Sequence, residues 1–232
     1  MTTDDDLNLV RPWTVLSSKI TYEDRWLRIR SDHCLTASGQ HVTPYHVIEY
    51  PDWVNVVALT RHDLRLVLVR EYRHGRGEVL PGLVSGTIET ADAGESDASA
   101  EVAARRELQE ETGYRNGRFI RLFTSYPNPA NHNNAVTSFL ALDVEAGGEQ
   151  SLDQTEAVEL FLDDLPTVLM KLRSDELRMQ AMHVAAIWSA AARILVADEA
   201  VGAAAPLRER LLAAIASPAL ASLPMAGQAL AR

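Results

Sequence analysis

The chain has 232 residues, carries 22 Lys+Arg against 32 Asp+Glu for a net charge of −10, and is 47% hydrophobic. That length fits one sizeable domain, or one domain with a smaller appendage, and the composition excludes disorder as the main state. The acidic balance excludes a broad grip on the phosphate backbone of DNA or RNA, so no nucleic-acid partner is expected. The single cysteine, Cys34, excludes an intrachain disulfide and a cysteine-based metal cluster. No apolar run approaches the ~20 residues of a membrane span. The N-terminus MTTDDDLNLV lacks the basic and apolar regions of a secretory signal. The expectation is a cytoplasmic protein without a membrane partner.

Residues 1–10 read as a frayed acidic lead. From Trp13 to Tyr50, TVLSSKITY, WLRIRSDHCLT and HVTPYHVIEY are β-branched and roughly alternating, with a Ser38-Gly39 turn before the last. They predict short strands. A piece this small is expected to pack on another domain or another subunit. WVNVVALT (53–60) and LRLVLVR (64–70) flank Arg61-His62-Asp63 and predict a central hairpin. Residues 79–90 predict a strand leading into a loop. Residues 97–112 predict a helix with Gly113 at its C-cap position. Strands follow near 118–125, 134–143 and 156–162. The segment 176–195 predicts a helix whose apolar face is Leu177, Ala181, Val184, Trp188 and Leu195. Beyond residue 199 alanine dominates, and Pro206, Pro218 and Pro224 break the chain. A short helix at 206–216 and a loose tail are expected there. The resulting division is an N-terminal β-subdomain (1–50), a main α/β domain (51–198) and an Ala/Pro-rich helical tail (199–232).

The informative segment is Gly86–Tyr114, GTIETADAGESDASAEVAARRELQEETGY. Eight acids fall between Glu89 and Glu111, a quarter of the total. Glu107, Glu110 and Glu111 stand at i, i+3 and i+4, which on a helix sets three carboxylates on one face. Like charges so placed repel, and a hard divalent cation such as Mg²⁺, or alternatively Mn²⁺, relieves that repulsion while bridging to substrate phosphates. Taken alone, the triplet equally describes a solvated, heavily charged helix. Arg106, one turn before Glu110, is placed to pair with it, and Leu108 with Ala100, Ala103 and Ala104 is expected to face the sheet.

The run Arg106-Glu107-Leu108-Gln109-Glu110-Glu111-Thr112-Gly113-Tyr114 resembles the end of the Nudix hydrolase signature at every specified position. The upstream half departs from that pattern. Its glycine aligns best with Gly86, but the stretch from there to Arg106 is six residues longer than usual. The signature's loop glutamate then corresponds to Glu95 by context or to Asp92 by spacing. The resemblance implies an α/β/α sandwich around a mixed sheet, a small N-terminal antiparallel β-subdomain and a C-terminal helical extension. It also implies metal ligation by Glu107, Glu111 and Glu110, completed by the Ser85 carbonyl.

Over roughly residues 13–195 the chain looks most like the ADP-ribose pyrophosphatase branch of that family. This likeness implies a domain-swapped homodimer built through the N-terminal strands. It also implies a small-molecule nucleoside diphosphate derivative as substrate, with Arg73 on its phosphates. Arg70 and Arg76 are further candidates. Arg suits the role through its bidentate fork. Trp53, Tyr22 and Trp26 are aromatic candidates for a base, with core packing the simpler role for each.

In the branch, the loop after the catalytic helix carries an acid that activates water. Here Tyr126–Asn134 replaces it, and residues 122–142 contain no Asp or Glu. The general base is therefore open between His132 and a glutamate of the helix, unless the loop binds substrate through asparagines such as Asn131. The expected reaction is Mg²⁺-dependent hydrolysis of an acid anhydride, ADP-ribose to AMP and ribose 5-phosphate. Other nucleoside diphosphate sugars, or nucleotide sensing without turnover, are the alternatives.

Overall fold

The computed structural model describes residues 10–89, 92, 96–196 and 199–217. It divides into two compact units, Met1–Asp52 with Ser125–Ala135, and Trp53–Thr124 with Val136–Arg232.

The first unit is a three-stranded antiparallel sheet of β1 (Thr14–Glu23), β2 (Arg28–Leu35) and β3 (His41–Glu49), in that order. Gly39 (φ +80°) takes the left-handed conformation in the β2–β3 turn. The loop 126–134 is fastened to the end of β3. The Ile48 N–H donates to the Asn131 carbonyl at 2.7 Å, the Tyr50 N–H donates to Asn133 Oδ1 at 3.3 Å, and the Tyr45 hydroxyl donates to the Ala130 carbonyl. All ten residues of β1 are exposed. Tyr22 and Trp26, expected in a core, are 51% and 66% exposed. The Tyr22 hydroxyl donates to Asp24, and Arg25 lies over the Trp26 ring at 4.4 Å.

The second unit is a mixed sheet between helices. It contains β4 (Trp53–Thr60), β5 (Arg65–Arg73), β6 (Glu78–Gly82), β7 (Val84–Thr87), β8 (Tyr114–Arg115), β9 (Arg118–Ser125), β10 (Val136–Ala146) and β11 (Val158–Asp164). The order is β11-β5-β4-β10-β8, with β6 on β5, β7 on β4 and β9 on β10. β4 and β10 pair in parallel, Val136 opposite Trp53 and Leu140 opposite Val57. β4 is buried on both faces, which is why it reads as a continuous apolar run. Val54, Val56 and Ala58 face α1 (Ser96–Thr112), where Ala100, Ala103, Ala104 and Leu108 pack at 2% exposure or less. Val57, Leu59, Leu66, Leu68, Leu140 and Leu142 face α2 (Leu165–Arg173), α3 (Ala181–Val196) and α4 (Leu207–Ala216). Ala at three α1 positions brings that helix close to the sheet.

Two helical expectations need correction. α2 is absent from the sequence reading because its nine residues follow β11 without a linker. Its signal is local: Asp164 caps the Thr167 N–H at 3.4 Å, Pro166 sits in the first turn, and Lys171 and Arg173 lie in the last. The helix expected from 176 starts at Ala181, after Asp175 takes a positive φ of 58°. Its buried stripe is His183, Ala186, Ile187, Ala190, Ala191 and Ile194. The expected face is rotated from this one, and Ala181 is exposed. The expected tail beyond Ser217 lies outside the described residues.

Candidate functional site

Anchoring Leu108 and the alanines of α1 in the core fixes where its glutamates go. Glu107 lies against β7 at Gly86, where a Cβ would stand 2.0 Å from the Glu107 carboxyl carbon. Only glycine admits the carboxylate at that distance. The helix ends at Gly113 (φ +70°), where a side chain would meet the Gly148 carbonyl at 2.3 Å.

Arg106 organises the acids around it. Its Nη1 donates to Glu107 Oε1 at 2.9 Å and Glu110 Oε2 at 3.0 Å, and its Nη2 donates to the Thr87 carbonyl at 2.9 Å and Asp92 Oδ2 at 3.2 Å. Burial alone raises the Asp92 pKa, but Arg106 and the Glu89 N–H outweigh it and hold the carboxyl below the usual range. Asp92 thereby locks the guanidinium that sets the rotamers of Glu107 and Glu110. Glu95, the other candidate for the loop acid, lies outside the described residues.

Glu111 is the most strained charge of the group. Burial pushes its pKa up to about 9, the negative charges of Glu107, Glu71 and Glu156 add to the shift, and the Ser85 backbone N–H opposes it. Burial also pushes Glu107 up to about 7, against the pull of Arg106 and with Glu110 and Glu156 adding. Burial raises Glu71 as well, with Arg73 opposing and Glu156 adding. Glu111 Oε2 is buried without a hydrogen-bond partner. Among the described residues no three acidic or histidine side chains converge into a ready-made cation cage. Arg106 engages Glu107 Oε1 and Glu110 Oε2 instead. An orphaned buried carboxylate oxygen beside mutually repelling acids nonetheless fits a hard divalent cation, which supplies the missing countercharge.

The structure thus adds two acids that motif reading missed. Glu71 lies at the far end of β5, and Glu156 in the loop before β11, 45 positions beyond Glu111. Neither belongs to a local pattern. The only sequence trace of Glu71 is that it interrupts an apolar strand two residues before Arg73.

Arg73 Nη2 pairs with Glu71 Oε2 at 2.9 Å, and both line a cavity of about 410 Å³ with Arg76, Arg178 and His183. Arg70 points to the other face of β5, over the Phe161 ring at 4.0 Å and paired with Glu159 at 2.9 Å. His132 and Asn131 belong to the first unit. The His132 ring meets Tyr50 edge-on at 5.4 Å, and Asn131 Oδ1 is buried without a partner. Trp53 is half-buried, its ring edge-on to His183 at 6.2 Å.

Residues 49–179, more than half of the chain, match the NUDIX domain, and residues 13–48 match the nucleoside diphosphate sugar hydrolase N-terminal domain. The chain is 28% identical to nudix hydrolase 2 of Caenorhabditis elegans over 169 residues, 65% of this chain and 72% of that protein. It is 27% identical to the ADP-ribose pyrophosphatase of Bacillus subtilis (strain 168) over 131 residues, 56% of this chain and 67% of that one. A crystal structure described as an ADP compounds hydrolase shares the fold, with a TM-score of 0.68 at 23% identity over 80% of this chain and 95% of that one.

Proposed function

Since the chain belongs to the NUDIX domain family of hydrolases, we propose that it cleaves the pyrophosphate bond of ADP-ribose, releasing AMP and ribose 5-phosphate, with Mg²⁺ as the working cation and Mn²⁺ as a substitute. The relative named ADP-ribose pyrophosphatase supports the choice of substrate. The single observation that carries the metal-dependent reading is the orphaned, buried Glu111 Oε2 amid repelling carboxylates. When bound, the cation neutralises the diphosphate and acidifies an attacking water.

The residues divide the remaining work. Glu107, Glu111 and Glu110, with the Ser85 carbonyl, hold the cation. Arg106 fixes the carboxylates of Glu107 and Glu110 before it arrives, and Gly86 admits Glu107. Arg73 binds a phosphate oxygen pair through its planar fork. Glu156 is the proton acceptor from the attacking water. It is exposed, its charge acts on Glu71, Glu107 and Glu111 together, and Asp153 N–H is its hydrogen-bond partner at 3.1 Å. His132 is the second candidate for that role. The protein works as a homodimer through β1, a reading supported by its exposed Trp13, Val15, Leu16 and Ile20.

Phosphate release from a panel of nucleoside diphosphate derivatives, with a coupled phosphatase and with and without Mg²⁺, tests the proposal. Mg²⁺-dependent turnover highest on ADP-ribose is the expected result. Tight binding of one member with no turnover of any would overturn it in favour of a sensor.

A further inference from the structure

A single residue, Leu83, separates β6 from β7. Before it, Gly82 pairs with Val69 of β5, and after it Val84 and Ser85 pair with Val56 and Asn55 of β4. The chain therefore changes partner strands at Leu83, which belongs to neither ladder. Leu83 is fully buried, and a buried N–H outside a ladder needs another acceptor. His183, from the first turn of α3, supplies it: the Leu83 N–H donates to His183 Nδ1 at 3.2 Å.

The ring that accepts this bond is closely held. His183 is 1% exposed. A Cβ on Gly82 would stand 3.2 Å from its Nδ1 and Cε1, so a glycine there leaves the ring its room. Trp53, whose strand partner is Thr87 at the end of β7, meets the ring edge-on at 6.2 Å. Burial, with Arg73 adding, pushes the His183 pKa down to about 3. Near pH 7 the ring is therefore neutral, with Nδ1 bare to accept and the proton on Nε2.

The residues just beyond Leu83 give this contact its reach. Two positions on, the Ser85 N–H donates to Glu111, and the Ser85 carbonyl is among the groups assigned to the cation. Three positions on, Gly86 makes room for the Glu107 carboxylate. We propose that His183 is a positioning residue for the cation-binding carboxylates: by holding the Leu83 N–H it fixes the start of β7, and with it the places of Ser85 and Gly86 against Glu111 and Glu107. The inference rests on the hydrolytic reading above and adds to it a residue of α3, outside the acidic helix and the strand beside it. Groups that orient metal ligands without touching the metal usually matter about 10–100-fold in affinity.

Two substitutions separate this role from packing. His183→Asn keeps an acceptor where Nδ1 stood, and His183→Leu fills similar space without one. Mn²⁺ is titrated into the full chain and both variants without substrate, and unbound Mn²⁺ is read by electron paramagnetic resonance. Exchange of the Ser85 amide in the metal-free proteins is followed by NMR, and folding is checked by thermal melt. The expected result is at least tenfold weaker Mn²⁺ binding and faster Ser85 exchange in His183→Leu, with His183→Asn within about threefold of the parent in both. If His183→Leu does not fold, His183→Gln, which also lacks an acceptor at the Nδ1 position, takes its place with the same expectation. Parental Mn²⁺ affinity in the variant without the acceptor would overturn the proposal. So would an equal loss in His183→Asn, which would reduce the residue to packing. Failure of the hydrolytic reading is separable: it shows as no ADP-ribose turnover by the parent while Mn²⁺ affinity still depends on the acceptor at residue 183.

Discussion

Replacing Glu111 by glutamine should stabilise the metal-free protein while abolishing its turnover. The folded state holds the Glu111 pKa at about 9, chiefly through burial, whereas the unfolded chain ionises near ~4.3. The folded pKa is the higher of the two, so this group's contribution to stability is complete below the unfolded value and is lost progressively as pH rises toward 9. At pH 7 the deficit has a ceiling of about 4 kcal/mol, from ~1.4 kcal/mol per pH unit above the unfolded value. An amide in place of the carboxylate removes the deficit and leaves a buried polar group whose desolvation takes back about 1 kcal/mol. The net gain of at most ~3 kcal/mol corresponds to a melting temperature up to about 6–12 °C above the parent for a domain of this size. The assay is differential scanning calorimetry of both proteins in a chelating buffer from pH 5 to 8, repeated with Mg²⁺. The gap should widen with pH, and Mg²⁺ should raise the melting temperature of the parent alone. A variant less stable than the parent at pH 7 without metal would refute the claim that burial makes the Glu111 carboxylate costly to the fold.

Three further outcomes follow from the same geometry. Gly86→Ala places a methyl group 2.0 Å from the Glu107 carboxyl, so kcat should fall at least a hundredfold while far-UV circular dichroism is unchanged. Retention of full turnover would mean that the position of Glu107 is not critical. Glu156→Gln should lower kcat by ~10²–10⁴, the range of general base catalysis, and His132→Ala by less than tenfold; the reverse order would transfer the role to His132. Leu16→Glu with Ile20→Glu, on exposed β1, should convert a dimer to a monomer in light scattering, and an unchanged mass would place any dimer contact elsewhere.

The acidic helix was legible because two independent patterns coincide in it. The alanine and leucine stripe dictates a buried face, and the glutamate spacing then dictates what the remaining face presents. Gly86 was legible as a motif position, but its physical reason, the Glu107 carboxyl in the space of its absent side chain, needed the fold. β4 and β5 were legible as continuous apolar runs bounded by a polar turn. The apolar periodicity of 176–195 misled because alanines surround it on every side, so composition does not rank one stripe above the next. Asp175 and the short α2 before it set the phase, and α2 runs on from β11 with no linker to mark it. Glu71 and Glu156 were out of reach for a different reason. Each is an isolated acid in an ordinary strand or loop, and only strand pairing (Val158 opposite Glu71) brings their segments together.

The parallel pairing of β4 with β10 carries a consequence for the order in which the chain acquires structure. Trp53 and Val136 are partners some eighty residues apart, and closing a loop of that length costs about 4 kcal/mol in chain entropy. The hairpin contacts of β4 with β5, by contrast, close within a few residues. During synthesis at roughly 5–20 residues per second, β4 emerges several seconds before its central neighbour exists. For that interval one edge of WVNVVALT presents unpaired backbone to other nascent chains. The yield of soluble protein should therefore depend on how quickly residues 61–146 are completed.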